Sequence, residues 1–325
     1  MGFLTLIGLF VIFYYLFYII FPWFSDCDAL TKFKEKFGKP VDSLRNQVVW
    51  IVGASSGIGE NLAYSLADAG CKLILSARRT DLLEKVKTNC LRGNVKLTEK
   101  DILVLPFNIC DAEVHQKMLN TALSEFGQLD ILVNNAGRTQ RAIWEKIDLK
   151  VDKELFHLNV FSIISLSRVV LKYFLEKGKG HFAVTSSTAG FTGVPFSASY
   201  TGSKHALHGY FESMRTEKAT NNIAITMICP GPIQTDFLYE SFTENPGEKL
   251  EQKTAVSSTK VSAKRCGQLI SIGLANQLEE IWIANPIVIL LCYLKYYPNL
   301  NNIIWRHLGP RFFQKVRDSK DIVKT

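Results

Sequence analysis

The first 24 residues contain no ionisable side chain apart from three tyrosines. No basic residue precedes this apolar stretch and no small-x-small site follows it, which argues against a signal peptide that is cleaved. A helix of this length would measure about 36 Å, enough to cross a hydrocarbon core of about 30 Å with some tilt. Residues 1–24 are therefore predicted to form a transmembrane signal anchor, with a cleaved signal peptide as the alternative.

Paired cysteines and glycosylation sites are missing as well. The seven cysteines are odd in number and form no C-x-x-C pair, which favours reduced thiols over a disulfide or zinc framework; no metal site is predicted. No Asn-x-Ser/Thr sequon marks a lumenal face. Lys32, Lys34, Lys36 and Lys39 follow the anchor and no Lys or Arg precedes it. This asymmetry predicts a single-pass protein whose body faces the cytosol.

Positive charge is concentrated at the end of the chain. The net charge is +8, and from Lys295 onward seven Lys or Arg stand against two Asp. A basic tail suits nucleic acid or an anionic lipid surface, and the anchor favours a lipid membrane over nucleic acid as the partner. Residues 286–325 are predicted to be an apolar and basic extension. Its apolar run at 286–294 is too short to span a bilayer, so it is a buried core or dimer segment or a membrane-interfacial helix.

Between residues 48 and 240, short apolar runs alternate with segments of helix length. Continuous apolar runs are typical of parallel strands that are buried on both faces. The alternation predicts an α/β fold, a Rossmann-type doubly wound parallel sheet forming a single domain at 47–285, which a charged connector at 25–46 joins to the anchor. The predicted strands are 48–52, 72–77, 102–107, 131–133, 181–185, 224–228 and 280–284.

A glycine-rich turn follows the first predicted strand. Gly53, Gly57 and Gly59 have the spacing Gly-x-x-x-Gly-x-Gly, between an apolar run and a helix-like pattern. Glycines let the backbone approach a pyrophosphate, and the N-terminus of a helix directs unpaired N–H groups toward its negative charge. Taken alone, the turn is either a dinucleotide site or an ordinary tight strand-to-helix connection.

Further motifs follow this turn, each weak by itself. They are Asn134-Asn135-Ala136-Gly137, Asn159, Ser187 before Thr188-Ala189-Gly190, Tyr200-x-x-x-Lys204 and the turn at Pro230-Gly231. Together and in this order they resemble the short-chain dehydrogenase/reductase family over roughly residues 46–285. The apolar leader and the basic extension are most similar to the membrane-bound member 7 branch of that family. The endoplasmic reticulum is accordingly the expected membrane.

The resemblance implies that Asn159, Ser187, Tyr200 and Lys204 are catalytic. Tyr200 and Lys204 are four residues apart and share one face of a helix, where an ammonium group lowers the pKa of a phenol toward the working range. Tyr200 would exchange a proton with the substrate oxygen, and Ser187 would hydrogen-bond that oxygen. Lys204 would also bond the nicotinamide ribose, and Asn159 would hold a water that relays protons to it. Ser186 is the rival of Ser187, which is preferred because the family's catalytic serine directly precedes x-Ala-Gly.

The family resemblance implies a nicotinamide cofactor, and the end of the second strand indicates NADP(H). No acid stands there for a ribose 2′-hydroxyl; Arg78 and Arg79 offer planar donors to a 2′-phosphate instead, unless they are plain surface charge. Val52 and Asn108 depart from the family's usual Thr and Asp. The predicted cofactor-binding residues are Gly53, Ser55, Ser56, Gly57, Ile58, Gly59, Arg78, Arg79, Asn108, Ile109, Asn135, Ala136, Gly137, Tyr200, Lys204, Pro230, Gly231, Ile233 and Thr235.

The predicted substrate is lipophilic. The expected pocket walls, at 190–199 (Phe191, Val194, Pro195 and Phe196) and after Thr235 (Phe237, Leu238, Tyr239 and Phe242), are apolar and aromatic. The main hypothesis is a membrane-anchored NADP(H)-dependent oxidoreductase that interconverts a carbonyl and an alcohol on a steroid- or retinoid-like molecule. The alternatives are a catalytically idle nucleotide-binding scaffold and a membrane tether. Family resemblance makes a homodimer the default expectation.

Overall fold

The computed structural model describes residues 2–93, 97–252 and 260–319. Its strands are β1 (Val48–Val52), β2 (Lys72–Ser76), β3 (Ile102–Val104), β4 (Ile131–Asn134), β5 (Gly180–Thr185), β6 (Ile223–Pro230), β7 (Ile233–Gln234), β8 (Val261–Ser262) and β9 (Glu280–Ile283). Seven of them form one parallel sheet in the order β3-β2-β1-β4-β5-β6-β9, and β7 pairs with β8.

Eleven helices are found among the described residues. They are α1 (Phe3–Ile20), α2 (Ala29–Phe37), α3 (Gly57–Asp68), α4 (Thr80–Gly93), α5 (His115–Phe126), α6 (Leu149–Phe156), α7 (Ser162–Lys177), α8 (Ala198–Glu217), α9 (Ala263–Ala275), α10 (Pro286–Tyr293) and α11 (Pro298–Asp318). The predicted doubly wound fold, the apolar N-terminal helix and the C-terminal helical extension are confirmed.

Helices cover both faces of the sheet, so the core has two layers. Along β1, Val49 and Ile51 pack with α3, α4 and α9, whereas Trp50 and Val52 pack on the opposite face, toward α5, α7 and α8. Every residue of β1 is buried, which is why its sequence is an unbroken apolar run. The predicted strand boundaries are accurate to within a few residues. The third strand ends earlier than predicted, and the sixth continues to Pro230.

The strand order reverses beside β1. From β1 the chain winds outward through β2 to β3, and then crosses to β4 on the other side of β1. In open α/β sheets such a switch point leaves a crevice at the carboxyl ends of the strands, where ligands bind. The glycine turn after β1 and the Asn-Asn-Ala-Gly run after β4 both lie at this crevice.

Within the described part of the chain, two apolar helical segments have the length and composition to cross a membrane. Phe3–Phe24 has a mean hydropathy of 2.4, and none of the residues of α1 within it is buried. Leu149–Lys177 combines α6 and α7 and is half buried, because α7 is a core helix. Its exposure therefore marks the N-terminal helix as the candidate membrane anchor.

The connector is docked on the body rather than loose. Cys27 forms an antiparallel bridge with Ile283 at the edge of β9. Arg265 of α9 holds the carboxylates of Asp26, at 2.6 Å, and of Glu35. Hydrogen bonding from Arg265 lowers the pKa of Glu35 to about 2. The connector thus covers the edge of the last strand and ties the N-terminal helix to the body of the protein.

The C-terminal extension folds back onto the body. In α10, Val288, Ile289 and Cys292 are buried in the core, while Ile287 is 40% exposed. The apolar run at 286–294 is thus a core helix on one side. On its other side α10 packs against the short helical turn Phe21–Phe24 that follows α1. Of the predicted extension, residues 320–325 lie outside the described part of the chain.

Candidate active site

The glycine turn lies at the carboxyl end of β1 and begins α3. Gly53 has a φ of +93° and Gly57 a φ of +62°, values that favour glycine. A Cβ atom at Gly53 would lie 2.7 Å from the backbone nitrogen of Ala136, and one at Gly59 would overlap the carbonyl oxygen of Gly53. The turn and the helix N-terminus therefore form a cradle of bare backbone, which fits the pyrophosphate of a dinucleotide.

One cavity of about 1130 Å³ extends from this turn along the carboxyl edge of the sheet. This volume exceeds the roughly 300–1,000 Å³ of most small-molecule pockets, so it has room for a dinucleotide and a second ligand. The predicted cofactor residues that line it are Gly53, Ser56, Gly57, Ile58, Arg78, Arg79, Asn108, Ile109, Asn135, Ala136, Gly137, Tyr200, Lys204, Pro230, Gly231, Ile233 and Thr235. The other two, Ser55 and Gly59, belong to the turn but do not line the cavity.

Polar contacts fix the turn against its neighbours. The amide nitrogen of Asn135 donates to the carbonyl of Gly53 at 2.9 Å, and its amide oxygen accepts from the Thr185 hydroxyl at 3.1 Å. One side chain therefore joins the ends of β1, β4 and β5. Nη2 of Arg79 lies 3.4 Å from the Ser55 hydroxyl. This contact places an exposed guanidinium beside the glycine turn, where a 2′-phosphate could reach it.

Three of the four predicted catalytic side chains meet in this cavity. Ser187 follows β5, and its hydroxyl donates to the carbonyl of Pro230 at 3.1 Å. Tyr200 lies in the first turn of α8 and Lys204 one turn later. Nζ of Lys204 donates to the carbonyl of Thr185 at 2.7 Å and lies 5.7 Å from the centre of the Tyr200 ring. The hydroxyl of the rival Ser186 donates instead to the carbonyl of Lys204.

Burial controls the protonation of these groups. Desolvation raises the pKa of the Tyr200 phenol above its ordinary value of 10.0, while hydrogen bonding with Ser187 and the charges of Arg141 and Arg317 act in the opposite direction. Desolvation also lowers the pKa of Lys204 to about 8. The phenol of Tyr200 is therefore neutral at neutral pH, in contrast to the expected lowering of its pKa by Lys204. A neutral phenol is a proton donor, the form that carbonyl reduction needs.

Asn159 is buried behind the site and does not line the cavity. It lies in a π-helical turn, His157–Phe161, between α6 and α7. Its amide nitrogen donates to the carbonyl of Arg138 at 2.8 Å and to the Ser203 hydroxyl at 3.0 Å, and its oxygen accepts from the backbone nitrogen of Arg138 at 2.9 Å. π-helical turns are frequent at functional sites. Here the turn directs Asn159 to hold the segment after Gly137 against α8.

Beyond Tyr200 the cavity becomes an apolar chamber. The predicted walls Val194, Pro195, Phe237, Leu238, Tyr239 and Phe242 line it. Two predicted wall residues were wrong: Phe191 and Phe196 do not line the cavity. Phe191 is buried and stacks on Trp282 with ring centres 5.0 Å apart. The structure adds a wall from the C-terminal extension, formed by Val288, Leu291, Cys292, Trp305, Phe313, Val316, Arg317 and Asp318.

The sequence model of the short chain dehydrogenase family matches residues 47–246. The chain belongs to the short-chain dehydrogenase/reductase family. It is 40% identical to human dehydrogenase/reductase SDR family member 7 over 305 residues, covering 91% of this chain and 88% of that protein. It is 33% identical to a hydroxysteroid 11-beta-dehydrogenase 1-like protein of Xenopus tropicalis, over 78% of this chain and 84% of the relative. The resemblance to the member 7 branch is thus confirmed.

Solved structures of short-chain dehydrogenases share the fold. A short-chain dehydrogenase from Streptomyces avermitilis has a TM-score of 0.65 at 24% identity and covers 81% of this chain and 97% of its own. An alcohol dehydrogenase from Thermococcus sibiricus, complexed with 5-hydroxy-NADP, has a TM-score of 0.64 at 21% identity over 74% of this chain and 97% of its own. As a short-chain dehydrogenase/reductase, this protein binds a nicotinamide dinucleotide.

Some residues of this short-chain dehydrogenase/reductase's site could not be found from motifs. Arg141 and Asp318 pair beside the chamber although 177 residues separate them in sequence. The basic composition of the C-terminal segment predicts that its charges face a lipid surface, yet Arg317 donates hydrogen bonds to Pro195 and Ser197 of the body. No spacing signal connects these residues, because their contacts depend on how α11 folds back.

Proposed function

We propose that this protein is a membrane-anchored, NADP(H)-dependent reductase of lipophilic carbonyl compounds, running as an alcohol dehydrogenase in the reverse direction. The observation that carries the proposal is the meeting of Ser187, Tyr200 and Lys204 in one cavity, between a glycine cradle and an apolar chamber. A carbonyl group in the chamber would have its oxygen beside a hydroxyl and a phenol.

The roles of the side chains follow from their contacts. Tyr200, a neutral phenol, gives its proton to the carbonyl oxygen as charge develops there. Ser187 hydrogen-bonds with the same phenol, and its hydroxyl, which donates to the Pro230 carbonyl in this structure, would turn to donate to the substrate oxygen. Lys204 is held by Thr185 and adds positive charge behind the ring. A nicotinamide cofactor, when held by the glycine turn, would supply the hydride.

A steroid- or retinoid-like molecule is the proposed substrate class. The chamber walls are mostly apolar or aromatic, and such walls bind ligands that partition into lipid. One relative is named as a hydroxysteroid dehydrogenase-like protein, which favours steroids as the first compounds to test.

The proposal is tested with the full chain purified in detergent. NADPH absorbance is followed with a 3-ketosteroid, a retinal and 4-nitrobenzaldehyde, and each reaction is repeated with NADH. Consumption of NADPH that depends on at least one carbonyl supports the proposed function. Absence of turnover on all three would favour the scaffold or tether hypothesis.

Cofactor preference is expected to depend on Arg78 and Arg79. A charge-assisted hydrogen bond is worth about 1.5–3 kcal/mol, so Arg78→Asp should lower kcat/KM with NADPH by about 10- to 100-fold and raise it with NADH. The exposed Arg92 at the end of α4 provides the control, because Arg92→Asp makes the same charge change away from the cavity. Equal or better kcat/KM with NADH in the unchanged protein would contradict NADP(H) preference.

Membrane attachment, orientation and pairing complete the proposal. α1 serves as a single-pass anchor, with the endoplasmic reticulum as the membrane and the body in the cytosol. A sequon engineered into an exposed loop of the body should stay unglycosylated in cells; glycosylation would place the body in the lumen.

A homodimer through α7 and α8 is supported by Phe161, Leu175 and Tyr210, which are 53%, 37% and 45% exposed, and light scattering would measure it.

A further inference from the structure

The last helix reverses direction before it reaches the active site. Within α11, Gly309 has a φ of 71° and a ψ of 166°, a region that is essentially restricted to glycine, and Pro310 follows it. Beyond this kink, Phe313 stacks on Trp305 with ring centres 3.5 Å apart. The kink thereby turns the end of α11 toward the chamber, where Arg317 and Asp318 line the cavity.

Asp318 lies between two guanidinium groups. Arg141 donates to both of its carboxylate oxygens, at 3.1 and 3.2 Å, and Arg317 donates to one of them at 2.6 Å. The Asp318 and Arg141 side chains are only 4% and 8% exposed. Charges this deeply buried are tolerated because each is paired and hydrogen-bonded. We call Arg141, Arg317 and Asp318 the C-terminal clamp; it carries one excess positive charge.

The C-terminal clamp forms hydrogen bonds with the turn that precedes α8, the helix that contains Tyr200. Arg317 donates to the carbonyl of Pro195 at 2.8 Å and to the hydroxyl of Ser197 at 3.0 Å, and Arg141 donates to the same hydroxyl at 2.7 Å. Between these residues Phe196 has a φ of 58°, an unfavourable conformation for an aromatic residue. Such a conformation persists only where its surroundings hold it, and here the clamp supplies those contacts.

The held turn leads directly into α8. Ser197 is the residue before the helix begins at Ala198, and Tyr200 lies within the first helical turn. A shift of the turn would therefore move the phenol relative to Ser187, which belongs to a different element. Displacement of a reacting group by about 1 Å can cost about 100-fold in rate.

We propose that Arg317 and Asp318, at the end of the C-terminal helix, are positioning residues for Tyr200: by holding the strained turn at Pro195–Ser197 they fix the phenol against Ser187. This inference rests on the proposed function of Tyr200 as proton donor. It assigns the end of the C-terminal extension to the catalytic site.

Electrostatics gives the clamp a second effect that can be measured. Arg141 and Arg317 lower the pKa of Tyr200, against the burial that raises it. The other groups that face the phenol are Ser187 after β5, Cys229 of β6 and Lys204 of α8. Loss of Arg317 removes a positive charge that favours phenolate, so the pKa of Tyr200 should rise. Alcohol oxidation needs phenolate, and its activity should then require a higher pH.

The experiment compares Arg317→Met and Arg317→Lys with Arg306→Met, an exposed arginine of the same helix. Turnover is measured with NADPH and two probes, the small 4-nitrobenzaldehyde and a large 3-ketosteroid. Arg317→Met should lower kcat about 10- to 100-fold for both probes while leaving the KM for NADPH within about twofold. Arg317→Lys keeps the charge but not the planar donors, so it should restore the pH profile and only part of kcat. Arg306→Met should behave as wild type.

A second readout needs no turnover. With 13Cζ-labelled tyrosine, the resonance of Tyr200 is assigned by its loss in Tyr200→Phe and titrated by NMR. Its pKa should rise in Arg317→Met and stay unchanged in Arg306→Met. This titration tests the effect of Arg317 on Tyr200 even if neither carbonyl compound is turned over. Lack of turnover in the wild-type protein, by contrast, contradicts only the proposed function.

Two outcomes would contradict the proposed positioning role of Arg317 and Asp318. Unchanged kcat for the small probe, with only the KM for the ketosteroid altered, would make the end of α11 a mere wall of the chamber. An unchanged titration of Tyr200 in Arg317→Met would show that the guanidinium does not act on the phenol. Should Arg317→Met fail to fold, Asp318→Asn provides the isosteric variant. It leaves both guanidiniums without a carboxylate, and a kcat equal to wild type for both probes would again contradict the proposal.

Discussion

Tyr200→Phe is expected to lower kcat/KM for carbonyl reduction by about 100- to 10,000-fold, the range that general acid catalysis contributes. The substitution removes one hydroxyl and keeps the ring, whose packing includes Phe237 at a centre-to-centre distance of 6.2 Å. Folding should therefore be nearly unchanged. The loss should appear in kcat, because the proton is transferred only in the transition state.

The control for this prediction lies on the same helix. Tyr210 of α8 is 45% exposed, so Tyr210→Phe makes the same chemical change away from the cavity and should leave kcat/KM within about twofold. If Tyr200→Phe reduced carbonyls at the wild-type rate, Tyr200 would not be the proton donor and the proposed mechanism would be wrong. A cellular role that is independent of this hydroxyl would support a scaffold or tether.

The pH profile follows from the same phenol. Because burial raises the pKa of Tyr200, the protonated form prevails below that pKa and is lost as the pH rises through it. Reduction, which needs the proton, should therefore be maintained through neutral pH and fall only in alkaline solution. Oxidation, which needs the phenolate, should rise with pH over the same interval. Steady-state rates of reduction and of oxidation, each measured as a function of pH, test these two opposite trends.

Some parts of the fold could be predicted because the burial of their residues is reflected in the local pattern of apolar residues. Val48–Val52 is apolar throughout because both faces of β1 are covered, and the residues after each central strand meet at one edge because the strands are parallel. The spacing of Tyr200 and Lys204 suffices to place both on one side of α8. Such features depend on residues that are close in sequence.

The parts that could not be predicted depend on distant contacts. Phe191 and Val194 belong to the same apolar loop, yet Phe191 stacks on Trp282 of β9 and only Val194 faces the chamber. Composition cannot distinguish them, because the partner comes from the far end of the domain. The same holds for Arg317, whose charge resembles that of the surrounding basic tail but whose guanidinium donates hydrogen bonds to Pro195 and Ser197.

Gly59→Ala is expected to be the most damaging change in the cofactor cradle. A Cβ atom at Gly59 would overlap the carbonyl oxygen of Gly53 and lie 2.6 Å from the amide nitrogen of Asn135. These two atoms form the hydrogen bond that joins the turn to the end of β4. The added methyl group must displace one of them, which should destabilise the fold by about 1–3 kcal/mol.

NADPH binding should suffer along with stability, because the displaced carbonyl belongs to the turn that would hold the pyrophosphate. A loss of about 1.4 kcal/mol of binding free energy corresponds to a tenfold higher Kd, and at least that is expected from fluorescence titration. Gly209 of α8 offers the matched control, since a Cβ atom there meets no atom within 4 Å. Gly209→Ala should leave the Kd unchanged and stabilise the helix by up to about 1 kcal/mol. If Gly59→Ala bound NADPH as tightly as Gly209→Ala, the turn would not be the pyrophosphate site, since a methyl group at this position cannot leave the approach to the backbone intact.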